Sequence, residues 1–328
     1  MSSVSNTRYR HSVIDVSVVI VSYNTAHLLI EAVQKVKNAA GGLAIECIFV
    51  DNASSDGSAA LIQREFPADA LIVNPVNVGF GRANNQALAL AKGRYILLLN
   101  TDAFVAPDTL VKTVGYMDAN PQCGILGVRL EGRDGELQPC ARYFPTPVNQ
   151  FLQRTGLHKV FKNIRMVDDM AWDHATVRQC DWVVGCYYLV RKELVNQIGL
   201  FDPRYFLYFE EVDHCFAAKK AGWNVVFYPH TTVVHLGGES AKSSGEITQS
   251  GRQLSALQVE SELLYFRKNH GLFGVLADIS LSLAADAMRA AKQVLKGKGG
   301  DGARSAWQHS SLLLKLCLRT RLGTAPTR

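Results

Sequence analysis

The first hundred residues alternate short apolar runs with longer amphipathic stretches. Apolar runs without polar alternation, which are typical of strands buried on both faces, lie at 16–21, 47–50, 71–74 and 95–99. The stretches between these runs place apolar side chains at helical spacing and predict three helices. Strands that alternate with helices favour right-handed crossovers and a parallel sheet. We therefore predict an α/β fold, with a mostly parallel, Rossmann-like sheet and helices on both of its faces.

Polar side chains follow three of these strands at the point where each strand ends. Asp51 follows the second strand, Asn77 lies just beyond the third, and Asn100 and Asp102 follow the fourth. Open α/β sheets bind ligands at the carboxyl ends of their strands, so these side chains are predicted to converge on one edge. A carboxylate at that edge suits a hard divalent cation that also holds a diphosphate. Simple turn formation is the alternative for each of these residues, because Asp and Asn also favour turns.

Three acidic residues, Glu210, Glu211 and Asp213, fall in the first turn of a predicted helix, directly after an aromatic-rich segment at 201–209. One interpretation is structural, because the helix dipole and the free N–H groups favour acidic side chains at an N-terminus. The other is chemical, because aromatic surroundings raise the pKa of a carboxylate, as suits a general base beside a sugar ring. The sequence alone leaves both interpretations open.

A single histidine, His235, ends a predicted strand and borders a Gly-Gly turn. A histidine in an apolar strand is commonly a satisfied core residue. The neighbouring glycines, however, let the backbone approach a phosphate closely. The segment therefore predicts either a core histidine or a ligand.

Length and composition are those of a globular protein with one large domain and an appendage, or with two domains. The chain has 328 residues, of which 48% are hydrophobic and 20% charged. The formal net charge of +6 resides in residues 270–328, which carry nine Lys and Arg against three Asp. Such a tail favours a polyanionic neighbour such as anionic lipid, and no nucleic-acid-binding motif accompanies it.

The tail, residues 246–328, is predicted to be mainly helical. Helical patterns cover 255–269 and 307–322, apolar residues mix with charges at 272–295, and a glycine-rich break lies at 297–302. A basic amphipathic helix lies on an anionic membrane surface, or it packs on its own domain or on a second copy of the chain. No run approaches ~18 uncharged apolar residues, so we expect no transmembrane helix.

Seven cysteines, none spaced as CxxC, favour a reducing cytosol over a disulfide framework or a zinc site. Residues 1–15 form a polar arm without an apolar core, so no signal peptide is predicted. Neither the dinucleotide fingerprint nor the phosphate-loop signature is present. We therefore predict a cytoplasmic protein, with the basic tail as a means of peripheral attachment to the inner face of the cell membrane.

Six short motifs occur in one order between residues 16 and 240. They are Val-Val-Ile-Val-Ser-Tyr-Asn, Val-Asp-Asn-Ala-Ser-Ser-Asp-Gly-Ser, Asn-Val-Gly-Phe-Gly-Arg-Ala-Asn-Asn, Leu-Leu-Asn-Thr-Asp, Gly-Leu-Phe-Asp-Pro-Arg-Tyr-Phe-Leu-Tyr-Phe-Glu-Glu-Val-Asp and His-Leu-Gly-Gly-Glu-Ser. Together they resemble family 2 glycosyltransferases, especially the bacterial rhamnosyltransferase-like branch. The resemblance implies a GT-A catalytic domain at 16–245, with a nucleotide-binding half at about 16–105 and an acceptor-side half at about 106–245.

The resemblance also implies roles for individual residues. It places the nucleotide contacts at Tyr23, Asn24, Asp51, Asn77, Gly79, Asn84 and Asn100. It makes Asp102 and His235 the metal ligands. Glu211 takes the position of the general base, where the family usually has Asp, and Glu210 and Asp213 remain alternatives. The acceptor side is expected to include Asp181, Trp182 and Asp202, with core packing as the alternative for Trp182.

The implied activity is inverting transfer of a sugar from a nucleotide-diphosphate donor, with Mg²⁺ or Mn²⁺ on the diphosphate. By resemblance the expected donor is dTDP-rhamnose, and the expected acceptor is a surface glycan or a lipid-linked sugar. One alternative is a UDP-sugar-dependent galactofuranosyl or hexosyl transferase. A second is a non-catalytic nucleotide-sugar-binding protein. A homodimer is also open.

Overall fold

The computed structural model describes residues 14–169, 172–237, 251–295 and 301–328. The strands are β1 Val16–Ser22, β2 Ile45–Asp51, β3 Ala70–Val73, β4 Tyr95–Leu99, β5 Ala103–Val105, β6 Cys123–Glu131, β7 Leu137–Gln138, β8 Arg178–Gln179, β9 Tyr187–Arg191 and β10 Asn224–His235. The helices are α1 Ala26–Asn38, α2 Ser58–Glu65, α3 Phe80–Ala87, α4 Thr109–Ala119, α5 Pro147–Thr155, α6 Lys192–Ile198, α7 Glu210–Lys220, α8 Gly251–Leu295 and α9 Asp301–Arg319. A 3₁₀ turn, Leu157–Lys159, follows α5.

Some predictions fall outside these residues. The N-terminal arm up to residue 13, the last three residues of the motif that begins at His235, and the glycine-rich break at 297–300 all lie outside the described part of the chain.

One sheet carries the whole domain, in the order β3-β2-β1-β4-β9-β6-β10-β5. Strands β3, β2, β1 and β4 are parallel neighbours, as the alternating pattern predicts. Strand β9 lies antiparallel between β4 and β6, while β10 is parallel to β6 and β5 is antiparallel to β10. The predicted α/β architecture is confirmed, with a parallel first half and a mixed second half. Strand β4 is uniformly apolar and fully buried because both faces of the sheet are covered there.

Two segments differ in the structure from what their sequence pattern predicts. The apolar patterns at 224–228 and 232–236 predict two strands, but they form a single strand, β10, with a register shift between Tyr228 and Thr232. The proline, arginine and aromatic residues at 139–179 predict irregular structure, but this segment contains helix α5. Thr146 caps that helix by accepting from the Asn149 backbone N–H, and Pro147 occupies the first helical position, where a proline loses no hydrogen bond.

The C-terminal extension consists of α8 and α9, which pack against each other and, through α8, against α5. Helix α8 is broken at Gly271, whose φ of 70° and ψ of −163° are not helical. Within the described residues, the segment Ala256–Leu295 is long and apolar enough to cross a membrane by length and composition alone. A search for uncharged runs misses this segment because Asp278 and Asp286 interrupt it. All seven cysteines are buried and free.

Candidate active site

Hydrogen bonds between side chains and backbone join the loop after β1 to the loop after β2. Asn24, whose φ is +53°, accepts through Oδ1 from the Ser55 backbone N–H at 2.7 Å, and its own N–H donates to Ser54 Oγ at 3.0 Å. Asp51 is 1% exposed and accepts from the Ser54 N–H through Oδ2 at 3.0 Å. Its other oxygen, Oδ1, is buried and has no hydrogen-bond partner among the described residues. Such an acceptor suits a donor group of a bound base or ribose. Tyr23 is buried next to Asn24.

A second cluster is centred on Asn52, which the sequence reasoning did not single out. Asn52 Nδ2 donates to Asn77 Oδ1 at 2.8 Å, and Asn52 Oδ1 accepts from Asn74 Nδ2 at 3.2 Å and from the Val78 N–H at 3.0 Å. Asn77 Oδ1 also accepts from the Gly79 N–H at 2.9 Å. Asn77 therefore holds the shape of the loop before α3, and its nucleotide contact stays a prediction.

The loop before α3 lies directly against the aromatic-rich segment. The Phe80 N–H donates to the Phe206 carbonyl at 2.9 Å, and a Cβ added at Gly79 would lie 2.5 Å from the same oxygen. Asn85 and Phe201 exchange two hydrogen bonds of 2.7 and 3.1 Å. Asn84 is buried and donates to the Phe80 carbonyl at 2.9 Å, so its side chain serves α3. Helix α3 thus fixes the segment that leads into α7.

Asp102 and His235 meet where β5 and β10 pair. Residue Ala103 is the register partner of His235, and the Leu236 N–H donates to the Asp102 carbonyl at 3.0 Å. The Asp102 carboxylate is 3.7 Å from His235 Nε2. Gln138 Oε1 lies 2.8 Å from His235 Nδ1, while Gln138 Nε2 donates to the His235 carbonyl at 2.8 Å. Gln138 therefore orients the imidazole so that Nε2 faces the carboxylate.

The donor set at this edge fits a cation that a diphosphate also binds. Burial lowers the pKa of His235, partly offset by the charge of Asp102, so its imidazole is neutral and able to bind a metal near pH 7. In the described part of the chain, no group of three His, Cys, Asp or Glu side chains could hold a metal alone. A carboxylate and an imidazole suffice, however, where phosphate oxygens and water complete the shell.

Glu211 lies against the turn that precedes β9. A Cβ added at Gly185 would lie 3.8 Å from Glu211 Oε1, and the Gly185 backbone hydrogen-bonds to this carboxylate. Burial raises the pKa of Glu211, and the charge of Arg142 opposes the rise. Its Oε2 is buried and has no partner within the described residues. A carboxylate with a raised pKa and a free oxygen is suited to accept a proton.

Glu210 and Asp213 have different surroundings. Burial and the charge of Glu211 raise the pKa of Glu210 well above its ordinary value, and Glu210 packs beside Gly81 of α3. Asp213, in contrast, accepts from Lys268 Nζ at 2.6 Å and from Asn269 Nδ2 at 2.7 Å, both on α8. Its charge is thus neutralised by the C-terminal extension. Of the three acidic residues, Glu211 is best placed to act as a base.

One backbone contact joins the two halves of the site. The Asn100 N–H donates to the Cys186 carbonyl at 3.0 Å, and Cys186 follows Gly185 in the chain. The loop that carries Asp102 is therefore tied to the turn that faces Glu211. Immediately before α7, Tyr208 and Phe209 take φ values of 72° and 68°, which non-glycine residues rarely adopt. Backbone strain of this kind is typical of functional sites, and here it directly precedes the first turn of α7, which carries Glu211.

The three residues expected on the acceptor side hold structure together. Asp181 is paired with Lys219 and accepts from the Phe144 N–H at 3.1 Å. Trp182 is buried and donates to the Tyr143 carbonyl at 2.9 Å, which agrees with the core-packing alternative. Asp202 is paired with Arg204 and Lys268; these hydrogen bonds outweigh the effect of burial and lower its pKa. A contact with an acceptor stays a prediction for all three.

Four functional residues were missed by sequence reasoning. Gly185, Arg142 and Gln138 lie in segments with no periodic signal, and only their spatial neighbours show their roles. Asn52 stood beside Asp51 in a recognised motif, and its amide could have been suspected as the hydrogen-bonding centre of the turn.

Comparison with known proteins identifies sequence relatives of this chain. Residues 17–171 match the family model for glycosyl transferase family 2. The chain is 28% identical over 210 residues to the N-acetylglucosaminyl-diphospho-decaprenol L-rhamnosyltransferase of Mycobacterium tuberculosis, covering 58% of this chain and 66% of that protein. It is 25% identical over 175 residues to the rhamnosyltransferase WbbL of Escherichia coli, covering 50% of this chain and 63% of WbbL. The chain thus spans slightly less than two thirds of these relatives' lengths.

A solved structure shows the same fold. The mannosyltransferase PcManGT from Pyrobaculum calidifontis, in complex with GDP-Man and Mn²⁺, superposes with a TM-score of 0.54 at 17% identity. The match covers 93% of this chain and 86% of that one. The GT-A fold class is confirmed, and residues 17–171 match the model of the family that the six motifs resemble.

Proposed function

We propose that this chain, whose residues 17–171 belong to glycosyl transferase family 2, is an inverting, divalent-metal-dependent glycosyltransferase. One observation carries the proposal. At one edge of the sheet lie the Asp51 oxygen that has no partner among the described residues, after β2, the Asp102–His235 pair, after β4 and β10, and Glu211, against the Gly185 turn that precedes β9. These residues supply a nucleotide acceptor, a cation site and a base for a nucleotide-diphosphate sugar.

The donor in this proposal is dTDP-rhamnose. Support comes from the names of the mycobacterial and enterobacterial relatives, which describe rhamnosyl transfer. Asp51 Oδ1 would accept a hydrogen bond from the base or ribose, and Asn24 and Asn100 flank the same crevice. A UDP-sugar donor is the alternative, since an acceptor oxygen on a base or ribose does not by itself select the nucleotide.

The cation, Mg²⁺ or Mn²⁺, would be held by Asp102 and His235. When bound, it neutralises the negative charge that develops on the leaving diphosphate. Gln138 keeps the His235 imidazole in one orientation, and the Leu236 N–H holds the backbone of Asp102.

The base in this proposal is Glu211. Its free Oε2 takes the proton from the acceptor hydroxyl as the hydroxyl oxygen attacks the anomeric carbon. The bond to the diphosphate breaks on the opposite face of the sugar, so the anomeric configuration inverts in one displacement. The glycosidic bond forms, and the nucleoside diphosphate leaves with the bonding electrons.

For the acceptor we propose a lipid-linked sugar of the cell envelope, used on the cytoplasmic side of the membrane. The name of the mycobacterial relative describes an N-acetylglucosaminyl-diphospho-decaprenol acceptor. A growing surface glycan is the alternative acceptor.

Donor binding and turnover separate the candidate functions. We would record melting temperatures with dTDP, UDP and GDP, with and without Mn²⁺, and then follow release of nucleotide from dTDP-rhamnose. We expect a metal-dependent shift that is largest with dTDP. Asp102→Asn should remove the metal dependence, whereas Glu193→Gln, on the surface of α6, should not.

The possible outcomes are distinct. A larger shift with UDP would replace dTDP-rhamnose by a UDP-sugar. Binding without release of nucleotide, with a lipid-linked acceptor present, would favour the non-catalytic alternative. The absence of any shift with any nucleotide would overturn the proposal.

A further inference from the structure

Helix α8 beyond the break at Gly271 has an uncharged, largely apolar outer face, while its buried face mixes apolar and polar side chains. The side chains that it exposes between 272 and 288 carry no charge; they are Leu272, Phe273, Leu276, Ala277, Ser280, Ala284, Ala287 and Met288. Its buried face includes Asp278, Ser282 and Asp286. A surface helix ordinarily turns its apolar face inward, so this outer face is suited to a non-aqueous neighbour.

The buried polar groups fix this orientation. Arg154 of α5 donates to Ser282 Oγ at 2.9 Å and is paired with Asp286. Asp286 also accepts from Ser310 Oγ at 2.8 Å. Asp278 shares a hydrogen bond with Glu262. Turning the helix to hide its apolar face would break these bonds and leave buried charges without partners, which is costly.

Helix α9 extends the same kind of surface. It exposes Trp307 and Leu318, at 71% and 82%, and half-exposes Leu314. Ser310 donates to Asp286, and Cys317 lies near Asp278, so α9 runs antiparallel to α8. Phe273, just beyond the break at Gly271, is 87% exposed. Both helices therefore expose large apolar side chains.

The charges around this surface all have one sign. Among the residues of α8 beyond Gly271 and of α9 whose side chains are described, every exposed charged group is basic: Arg289, Lys292, Arg304, Lys315 and Arg319. The only described carboxylates there, Asp278 and Asp286, are buried. A second copy of the chain would bring like charges together, whereas an anionic lipid surface complements them.

We propose that the outer face of α8 beyond Gly271, together with the outer face of α9, lies in the plane of an anionic lipid bilayer. The apolar side chains enter the boundary of the acyl chains, and the lysine and arginine side chains contact the lipid headgroups. The helices stay attached to the domain through Arg154, so the contact is peripheral. The inference goes beyond the proposed function and needs none of the active-site residues.

Flotation with lipid vesicles tests it. The full chain would be mixed with two kinds of vesicle, one of phosphatidylcholine alone and one of phosphatidylcholine with 40% phosphatidylglycerol. The phosphatidylglycerol gives the second kind an anionic surface, like that of a bacterial membrane. We expect the chain to float with the anionic vesicles and to be released at 0.5 M salt, which shortens the Debye length to about 4 Å.

Two variants separate the apolar and the charged contributions. Phe273→Ser/Leu318→Ser removes two exposed apolar side chains, and Lys315→Glu/Arg319→Glu reverses two charges. Each double substitution should lower the bound fraction at least about tenfold. For the charge reversal, the reason is that each basic residue near the anionic surface contributes about 1 kcal/mol of binding free energy. Matched controls are Val73→Ser/Leu90→Ser, two other exposed apolar residues, and Lys92→Glu/Lys220→Glu, which should float as the parent chain does.

Circular dichroism and melting temperature establish that each variant is folded. Equal binding to the two kinds of vesicle would overturn the anionic component. Folded variants that bind as well as the parent would overturn the assignment of this surface. Absence of flotation, with a dimer in light scattering that Phe273→Ser/Leu318→Ser dissociates, would make a second copy the occupant and overturn the proposal. None of these readouts depends on donor turnover.

Discussion

At the scale of single residues, the choice of base depends on which carboxylate is already neutralised. Both carboxylate oxygens of Asp213 accept hydrogen bonds, one from Lys268 and one from Asn269. Glu211 keeps a buried oxygen without a described partner, and a proton there relieves a desolvated charge. Glu211 is therefore the one of these two carboxylates with a free oxygen for the proton. The longer side chain of Glu, compared with the Asp usual in the family, still reaches the turn at Gly185.

We expect Glu211→Gln to lower kcat by about 10²- to 10⁴-fold, because the amide keeps the shape but accepts no proton. Donor affinity, measured by the melting shift with dTDP and Mn²⁺, should change little. Asp213→Asn serves as the comparison, since it removes a charge two residues away and should reduce kcat far less. A Glu211→Gln protein with parental kcat would transfer the role of base to Glu210.

The pH dependence of turnover should reflect the titration of Glu211. Burial raises the pKa of Glu211 from 4.5, so the active, deprotonated form is lost at a higher pH than for an exposed glutamate. As pH falls, kcat should decline through this raised pKa, with a slope of one proton. A rate profile that stays flat down to pH 4.5 would contradict the assignment. The melting temperature, recorded over the same range, separates protonation from unfolding.

At the scale of elements, the loop before α3 and the segment before α7 are locked by one close backbone approach. Gly79 has a φ of +90°, and the Phe206 carbonyl occupies the space that a Cβ would need. The aromatic segment continues directly into Glu210 and Glu211. The loop before α3 therefore positions the start of α7. Through this contact, we expect donor binding at the loop to affect the placement of Glu211.

Gly79→Ala tests this coupling, and Gly199→Ala is its matched control. Both glycines combine a positive φ with an extended ψ, but a Cβ at Gly199 would meet nothing within 4 Å. We expect Gly199→Ala to cost about 1–3 kcal/mol of stability through its backbone conformation alone. Gly79→Ala should cost more, and it should also lower kcat, because Phe206 must move. Equal melting temperatures and equal kcat for the two variants would show that the contact with Phe206 does not matter.

At the scale of the whole molecule, the sequence predicts most reliably what depends on local periodicity. The strands β1 to β4 and the polar residues at their ends were predicted because apolar runs and turn residues signal them directly. The pairing of β5 with β10, which brings Asp102 to His235, joins residues more than a hundred positions apart and leaves no periodic signal. The same holds for Lys268, whose ion pair with Asp213 shows only in the folded chain.

The interior of the C-terminal extension holds a carboxyl pair whose protonation affects the stability of the fold. Glu262 and Asp278 lie on opposite sides of the break at Gly271, and they share a hydrogen bond. Burial raises the pKa of both groups; the proximity of Glu262 raises the pKa of Asp278 further, whereas the contact with Asp278 lowers the pKa of Glu262. Arg154 opposes the rise at both, and His309 opposes it at Glu262. A shared hydrogen bond between two carboxyl groups requires at least one proton, so the pair is protonated in the folded state.

This pair predicts a falling stability as pH rises. The folded state binds more protons than the unfolded state above the ordinary carboxyl pKa, so the stability contributed by the pair is complete below that value. It is then lost as pH increases through the raised pKa. Asp278→Asn keeps a donor without a titrating proton, so it should flatten the decline and raise the melting temperature at pH 8.5 by about 2 °C. Melting curves between pH 5 and 9 check it, with Glu193→Gln as an exposed control. A decline of unchanged slope in Asp278→Asn would assign the effect to other groups, because the only proton that this variant removes is the one that the pair shares.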